Sequence, residues 1–274
     1  MPDQSAYFEA NKQLWNQRTM IHKDSAFYDV EGFKKGDSSL KSIELNGVGD
    51  VEGKTMLHLQ CHFGMDSLSF SRLGATVTGV DFSEEAISEA RKLNEELKLD
   101  ADFICSNVYD LHPGSGESPI PGLAASFDIV FTSYGVIGWL PDLDKWAAII
   151  AHYLKPGGFF YMAEFHPVVW MFDDEFKFIQ YSYGNAGVIE IDSTGTYTDR
   201  HADINAKEYS WNHSISEVIN ALIKHGLQID FFDEYLYSPY NCFSNTVEDG
   251  QGNFYIKGME NKIPMVYSIK ATKN

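Results

Sequence analysis

The chain has 274 residues, of which 44% are hydrophobic, so it is long enough to bury one sizeable core. Its 21 basic and 39 acidic residues give a net charge of −18, which argues against a nucleic acid partner because phosphate backbones are also negative. The apolar runs are shorter than the roughly 20 residues that cross a bilayer, and the N-terminal sequence lacks an export signal. We therefore expect a cytoplasmic protein with no membrane partner, either a monomer or a homodimer.

The cysteines form no metal-binding or disulfide pattern. Cys61, Cys105 and Cys242 are odd in number and include no C-x-x-C pair. Disulfide frameworks and structural zinc sites both require more regular cysteine spacing. Reduced thiols and no bound metal are therefore predicted.

Residues 1–50 are predicted to form a cap of mixed helix and loop on the main domain. The segment is rich in aromatic residues, namely Tyr7, Phe8, Trp15, Phe27, Tyr28 and Phe33. Most such residues pack into a core, but some can close a cavity against water.

Strand and helix patterns alternate from residue 55 onwards. The strand "TMLHLQ" is followed by a helix at about residues 65–73, the strand "TVTGVD" and a helix that Ser83 opens. Ser83 is a strong helix start because its hydroxyl can cap free amides, and the two glutamates after it complement the helix dipole. The strand "DFICS", the loop "HPGSGESPIPG", the strand "FDIVFTS", a helix in "LDKWAAIIAHYL" and the strand "FFYMAEF" continue the pattern. This alternation predicts a parallel sheet within residues 51–169.

The alternation breaks at residues 170–212, whose β-prone, Tyr- and Gly-rich pieces are typical of an inserted antiparallel hairpin. Residues 213–274 are predicted to form a closing helix and two strands. Ser214 and Glu217 make a capping box at the start of the helix, and Gly226 suits its end. Because no helix separates the strands "LQIDFFDEY" and "PMVYSIKAT", they should pair antiparallel.

This pattern places a ligand site at the carboxyl ends of the strands. The turn after the first strand of an open α/β sheet usually supplies the floor of such a site, which selects residues 60–66. Asp81 ends the second strand, where an acidic side chain would accept hydrogen bonds from ribose hydroxyls. An equally good interpretation is that Asp81 only caps the following helix.

Two phosphate-binding motifs are excluded. The segment "GVGDVEGKT" has Val48 where a Walker A loop needs glycine, and it precedes a strand instead of following one. The loop after the first strand contains only Gly64, whereas the dinucleotide fingerprint needs three glycines. A nicotinamide or flavin enzyme is therefore disfavoured.

Five segments occur in a recognisable order: "MLHLQCHFG", "VTGVDFS", "ICSNVYDL", "FDIVFTSYGVIGWL" and "LKPGGFFYMAEF". Over about residues 50–170 and the closing strands, they resemble the cofactor loop, ribose strand, adenine segment, fourth strand and fifth strand of the class I S-adenosylmethionine-dependent methyltransferases. The resemblance implies a single domain with a Rossmann-like α/β fold in three α/β/α layers. Its sheet would have seven strands, mostly parallel, with an antiparallel final strand. An N-terminal helical cap and a β-hairpin insertion after strand 5 would complete it.

The resemblance also implies S-adenosyl-L-methionine as cofactor, S-adenosyl-L-homocysteine as product and no metal. Asp81 would hold the ribose hydroxyls and Phe82 would lie against the adenine. Asn107 stands where the family often has an aspartate, and its amide oxygen can still accept a bond from the adenine. The implied cofactor residues are Gln60, Cys61, His62, Phe63, Gly64, Asp81, Phe82, Asn107, Val108 and Ser133. Arg18 is a further candidate, for the cofactor carboxylate, and its alternative interpretation is an ordinary surface arginine.

The opening loop departs most from the family. His58 replaces the usual acid, and Gln60 and His62 replace glycines. Side chains there leave less room for a ligand, so either the loop path shifts or His62 and Phe63 become contacts themselves. A degenerate fold without cofactor is the third alternative. His58 is predicted to be a core histidine.

Methyl transfer requires alignment of an acceptor, and it requires a general base only where the acceptor is protonated. The candidates at strand ends are Tyr134, Glu164 and His166. The histidine has a suitable pKa near neutrality, although it is an equally plausible turn residue. The acceptor pocket is predicted to include Trp15, Tyr28, Tyr183 and Trp211.

The predicted function is an S-adenosylmethionine-dependent methyltransferase that methylates a small-molecule acceptor by in-line displacement. A non-catalytic, cofactor-binding regulatory protein is the alternative from another class, and it predicts binding without turnover. A dinucleotide-dependent oxidoreductase is less favoured because of the missing glycines.

Overall fold

The computed structural model describes residues 4–114 and 120–274. Part of the predicted loop at residues 112–122 lies outside them. The helices are α1 (Ser5–His22), α2 (Val30–Lys35), α3 (Ser42–Val48), α4 (Met65–Arg72), α5 (Glu84–Leu97), α6 (Leu143–Tyr153) and α7 (Ile215–Lys224). The strands are β1 (Thr55–Leu59), β2 (Thr76–Asp81), β3 (Ala101–Cys105), β4 (Phe127–Ser133), β5 (Leu154–Phe165), β6 (Ile189–Thr194), β7 (Asn205–Ser210), β8 (Leu227–Tyr235), β9 (Thr246–Glu248), β10 (Phe254–Ile256) and β11 (Val266–Lys273).

The main sheet has seven strands in the order β3-β2-β1-β4-β5-β11-β8. Strands β1 to β5 run parallel, and β11 pairs antiparallel with both β5 and β8. The Rossmann-like fold, including the antiparallel pairing of the two closing strands, is therefore confirmed. Strand order reverses between β1 and β4, which is where an open α/β sheet places its ligand.

Local signals explain why the helices begin where they do. The Ser83 hydroxyl accepts a hydrogen bond from the Ala86 amide at the start of α5. The Ser214 hydroxyl does the same for the Glu217 amide at the start of α7. Each bond satisfies an amide that the helix itself cannot pair, which is worth about 1 kcal/mol.

The sheet buries side chains on both faces. Along β1, Met56 joins the core on one face, whereas Leu57 and Leu59 join the core on the other. All three are fully buried, as expected for a central parallel strand covered by helices on both sides. Each such side chain contributes roughly 1.5–3 kcal/mol of apolar burial.

An inserted hairpin and the first helix lie together over one end of the sheet. β6 and β7 pair antiparallel, which confirms the predicted insertion after the fifth strand. α1 packs against β7, and the Asn11 amide group exchanges two hydrogen bonds with the backbone of Tyr209, at 2.7 and 2.9 Å. We call α1 and the β6–β7 hairpin the lid. A second hairpin, β9–β10, was not predicted.

The helices of the described residues are all too short or too polar to span a bilayer. Within the same residues, His, Cys, Asp and Glu side chains form no group of three or more that could hold a metal ion.

Candidate functional site

One large cavity, of about 930 Å³, lies at the carboxyl ends of the parallel strands. Its floor comes from the loop after β1, the end of β2, the segment after β3 and the turn after β4. The lid and parts of residues 27–41, 164–181 and 240–244 form its other walls. Sequence segments far apart in the chain therefore face one another across the point where strand order reverses.

The loop after β1 keeps a left-handed backbone at three alternate positions, although only one of them is glycine. Gln60, His62 and Gly64 have φ values of 57°, 51° and 78°. Each non-glycine residue in this conformation costs roughly 1–2 kcal/mol. A Cβ at Gly64 would lie 2.6 Å from the Phe103 ring, so glycine is required there. The backbone of this loop thus has the conformation expected of a glycine-rich loop, although two of the positions carry the side chains of Gln60 and His62.

Hydrogen bonds to neighbouring strands hold this loop. The Gln60 side-chain amide donates to the Val136 carbonyl at 2.9 Å, while its Oε1 is buried without a hydrogen-bond partner among the described residues. The Cys61 amide donates to the Val80 carbonyl at 3.0 Å. Phe63 is buried under the loop and packs edge-on against the ring of Tyr28.

Asp81 lies where β2 meets the cavity. One of its carboxylate oxygens accepts the Ser83 amide and the other accepts the His62 amide, both at 2.9 Å. The side chain is only 8% exposed, and this burial raises its pKa to about 6. A carboxylate oxygen can accept more than one bond. Asp81 therefore orders the turn and retains acceptor capacity toward the cavity, so its two interpretations are compatible.

The segment after β3 forms the neighbouring wall. Phe82, Asn107 and Val108 all line the cavity. The Asn107 side-chain oxygen accepts the Tyr109 amide at 3.0 Å and keeps a second lone pair. These residues stand next to Asp81 because β3 pairs in parallel with β2.

Arg18 joins the two parts of the lid at the cavity wall. Its guanidinium lies 5.4 Å from the Trp15 ring centroid and 5.7 Å from that of Trp139. Its Nη2 donates to the Glu208 carboxylate at 2.6 Å and to the Ser193 hydroxyl at 3.0 Å. Its Nε is buried without a hydrogen-bond partner in the described part of the chain.

A cluster of aromatic rings and histidines closes the cavity under the lid. The His62 ring centroid lies 5.4 Å from that of Trp15 and 5.2 Å from that of His22. His22 Nε2 is 2.6 Å from the Thr196 hydroxyl on the hairpin. Burial lowers the pKa of His62 to about 3 and that of His22, with help from His62 and Arg18, to about 2. Both imidazoles are therefore neutral at neutral pH.

The three predicted catalytic residues have different surroundings. Tyr134 lines the cavity directly after β4 and has a φ of 38°. Glu164 is buried and accepts the amides of Gly135, Val136, Ile137 and Phe165. His166, at 4% exposure, does not line the cavity.

Two contacts hold His166 in place. Its Nδ1 accepts the Val168 amide at 3.2 Å, and its Nε2 lies 2.9 Å from the Glu234 carboxylate. Nε2 is therefore the protonated nitrogen of the neutral ring. His58, predicted to be a core histidine, is 2% exposed and lies 2.7 Å from the Ser67 hydroxyl.

Among the predicted acceptor residues, Trp15, Tyr28 and Trp211 line the cavity. Tyr183 does not; it is 37% exposed, near the start of α7. Ser133 lines the cavity as well.

Sequence reasoning missed several cavity residues, including Asp66, Tyr197 and Tyr240. Asp66 lies on the first turn of the helix that the cofactor loop opens, which is a signal that could have selected it. No local signal marked the two tyrosines, which come from the hairpin turn and from the stretch after β8.

A family model described as "Methyltransferase domain" matches residues 57–160. A ubiquinone biosynthesis O-methyltransferase of Xanthomonas oryzae pv. oryzae is 31% identical over 135 residues, which are 48% of this chain and 53% of that protein. The corresponding protein of Xanthomonas campestris pv. campestris is 29% identical over 140 residues, 50% of this chain and 55% of that protein. The chain thus matches about half the length of these relatives.

Solved structures share the fold over a greater length. A putative S-adenosylmethionine-dependent methyltransferase from Listeria monocytogenes superposes with a TM-score of 0.56 at 21% identity, covering 85% of this chain and 97% of that one. Geranyl diphosphate C-methyltransferase from Streptomyces coelicolor, in complex with Mg²⁺, geranyl diphosphate and S-adenosyl-L-homocysteine, gives a TM-score of 0.55 at 13% identity, covering 85% and 77%. At these identities the likeness concerns the fold.

Proposed function

We propose that the protein transfers a methyl group from S-adenosylmethionine to a small-molecule acceptor. Residues 57–160 match the family model described as "Methyltransferase domain", and solved S-adenosylmethionine-dependent methyltransferases share the fold. One observation carries this proposal. The cavity runs without interruption from Asp81 and the segment after β3 to an aromatic compartment under the lid. It therefore offers a cofactor half and an acceptor half that meet at the loop after β1.

The residues present fit the cofactor. Its methionine end carries an ammonium and a carboxylate, and two buried atoms near the same turn after β4 lack partners among the described residues. Gln60 Oε1 is an acceptor, and the Gln60 amide group is already bonded to Val136. Arg18 Nε is a donor, and the Arg18 guanidinium packs against Trp139. We assign the ammonium to Gln60 and the carboxylate to Arg18.

The other end of the cofactor fits the opposite wall. We assign the ribose hydroxyls to Asp81, whose carboxylate keeps acceptor capacity after binding two amides. Phe82 would pack on the adenine, with Asn107 and the Val108 amide beside its edge. The His62 and Phe63 side chains, which also line the cavity, would contribute contacts to the cofactor.

Bound S-adenosylmethionine supplies an activated methyl group on a cationic sulfur. The protein's part is then mainly alignment and exclusion of water. The lid excludes water because Arg18 and Asn11 tie α1 to the hairpin. Glu164 is a positioning residue in this proposal, since the amides of residues 135–137 occupy its oxygens and fix the turn beside the acceptor. Of the three predicted catalytic side chains, Tyr134 is the one we place at the acceptor.

Titration calorimetry with S-adenosylmethionine, S-adenosylhomocysteine and NAD tests the proposal. We expect the first two to bind with dissociation constants of roughly 1–100 μM, and NAD not to bind. Binding of NAD alone would favour the oxidoreductase, and binding of the methyl donor without turnover of any acceptor would favour the regulatory protein. Absence of binding to all three would contradict the proposal. The cytoplasmic location and the monomeric or homodimeric state stay predictions.

A further inference from the structure

Asp66 is an acidic side chain in the cavity that the assignment of the cofactor does not use. The Ser39 hydroxyl donates to one of its oxygens at 2.6 Å, and the Ser133 hydroxyl donates to the other at 3.0 Å. Among the described residues no cation lies within 4 Å of it, and the Lys41 charge acts on it only from farther away, where it lowers the Asp66 pKa against the larger, opposite effect of burial. Because each carboxylate oxygen can accept more than one bond, Asp66 can take a further donor from the cavity. Asp66 lies on the first turn of α4, directly after the loop assigned to the cofactor, and Ser133 ends the neighbouring strand β4. A donor bound at Asp66 would therefore lie beside the proposed cofactor site.

Three tyrosines share the cavity with this carboxylate and feel its charge. Tyr28, Tyr134 and Tyr240 all line the cavity, and the rings of Tyr134 and Tyr240 meet edge to face with centroids 5.0 Å apart. Burial mainly, and the Asp66 charge in addition, raise the pKa of all three phenols, so the carboxylate acts on each ring. A carboxylate among aromatic rings is a favourable environment for a cation.

The charged residues that line the cavity are mostly acidic, like Asp66. Ten of its lining residues are acidic, and three are basic. Of the three, Arg18 is paired with Glu208 and Arg200 donates to the Ser244 hydroxyl. Lys41 sits with its ammonium 5.2 Å from the ring centroid of Tyr240, which already shows a cation against this aromatic wall. A cavity of this charge concentrates cations and repels anions.

We propose that the methyl acceptor is an amine, cationic in solution, whose nitrogen binds at Asp66 between the rings of Tyr28, Tyr134 and Tyr240. The inference rests on the proposed methyltransferase function and narrows its acceptor. It excludes acceptors whose recognition depends on a carboxylate or phosphate group, because the cavity offers no free cluster of cations among its described residues.

The reaction that follows is balanced without any other reagent. The ammonium first gives one proton to the Asp66 carboxylate, which frees the nitrogen lone pair. The nitrogen then forms a bond to the methyl carbon as the carbon–sulfur bond breaks, and sulfur keeps the bonding electrons as a neutral thioether. Asp66 passes its proton to water. Burial raises the pKa of Asp66, which makes it a better proton acceptor than an exposed carboxylate.

Three phenylalkyl probes of similar size but different charge test the charge of the acceptor. Protein saturated with S-adenosylhomocysteine is titrated calorimetrically with 2-phenylethylamine, 2-phenylethanol and 3-phenylpropanoate. We expect the amine to bind at least about tenfold more tightly than the alcohol, and the carboxylate not to bind. With S-adenosylmethionine, mass spectrometry should show methylation of the amine alone. Equal or tighter binding of the alcohol or the carboxylate, or no binding of the amine, would overturn the proposal.

Variants of Asp66 and Tyr240 test whether the preference for the amine arises at these residues. In D66N the affinity for the amine should fall by about tenfold, to that of the alcohol, while the affinity for S-adenosylhomocysteine stays unchanged. Y240F should retain the affinity for the amine, because phenylalanine keeps the ring face. In Y240L, which has no ring, this affinity should fall several-fold. D100N, at an exposed position outside the cavity, is the control for the loss of one negative charge.

The outcomes separate this inference from the proposed function. Failure of the wild-type protein to bind S-adenosylhomocysteine would contradict the methyltransferase proposal itself. Normal binding with an amine affinity unaffected by D66N would overturn only the amine inference. Weaker cofactor binding in D66N would place Asp66 at the cofactor ammonium and would also overturn it.

Discussion

Arg18 of the N-terminal helix donates a 2.6 Å hydrogen bond to Glu208 of the inserted hairpin, 190 positions later in the chain. The ion pair is largely buried, with side-chain exposures of 10% and 17%. It joins two segments that sequence analysis treated separately, and it does so at the wall of the proposed cofactor site.

Breaking this ion pair should weaken both the fold and cofactor binding. In R18M the Glu208 carboxylate remains buried without its cation, which we expect to cost roughly 3 kcal/mol of unfolding free energy. Affinity for S-adenosylhomocysteine should fall more than tenfold, since Arg18 Nε is assigned to the carboxylate. Chemical denaturation and calorimetry measure the two effects. The control is K207A, which removes the exposed Lys207–Glu190 pair and should change stability by less than about 1 kcal/mol. Unchanged affinity in a folded R18M would remove Arg18 from the site.

Cofactor affinity should depend on the ionisation of Asp81. Burial raises the pKa of this carboxyl to about 6, and ribose hydroxyls donate better to the ionised form. We expect affinity for S-adenosylhomocysteine to be constant above pH 7 and to decline as the pH falls through 6. D81N should bind at least about thirtyfold more weakly at pH 7.5, with no such decline. A D81N profile that matches the wild type would assign the pH dependence to another group.

Gln60 should affect binding more than stability. Q60G removes a left-handed non-glycine residue, a gain of roughly 1 kcal/mol, but also loses the bond to the Val136 carbonyl, which is worth about the same. The melting temperature should therefore change little, while affinity for S-adenosylhomocysteine falls because Oε1 no longer meets the ammonium. Q60E keeps the acceptor oxygen but places its second oxygen against the Val136 carbonyl, so it should retain affinity and lose stability. Equal affinity in Q60G and the wild type would contradict the assigned contact.

Glu164 should prove essential to the structure of the turn after β4. In E164Q one oxygen becomes an amide group, which cannot accept the backbone amides it would face. Leaving these donors unsatisfied should cost about 1–3 kcal/mol for each, visible in denaturant titrations. H166Q provides the contrast, since His166 lies outside the cavity: its affinity for S-adenosylhomocysteine should stay within about twofold of the wild type. A stable E164Q with slow methyl transfer would instead support direct catalysis by Glu164.

Glu44 should make the protein less stable at alkaline pH. Its carboxyl is fully buried, and burial together with the nearby Asp66 raises its pKa to about 8. The folded protein therefore holds a proton that the unfolded chain releases near pH 4.5, so stability declines as the pH rises from about 4.5 to 8. E44Q should remove this decline and melt at a higher temperature than the wild type at pH 8.5. Parallel melting curves of the two proteins from pH 6 to 9 would exclude Glu44 as the cause.

The sequence by itself determined the order and type of the main elements. Ser83 and Ser214 cap their helices by contacts within three residues. Alternation of strand and helix leads to a parallel sheet because each helix returns the chain to the end at which the previous strand began. Asp81 and the loop at residues 60–64 could be located for the same reason, since their place at the strand ends follows from the chain order. The helix caps, the parallel strands and the position of the loop all depend on residues close in the chain or on consecutive elements.

Only the tertiary structure decided which side chains share the cavity. His22 meets Thr196, and Tyr28 meets Tyr197 with their hydroxyls 2.5 Å apart, across 174 and 169 positions of chain. His166 turns to Glu234 instead of the cavity, although its place after β5 resembles that of a catalytic residue. Such contacts depend on how the lid, α1 with the β6–β7 hairpin, packs on the sheet. That packing is set by many long-range interactions at once, none of which leaves a pattern in adjacent residues.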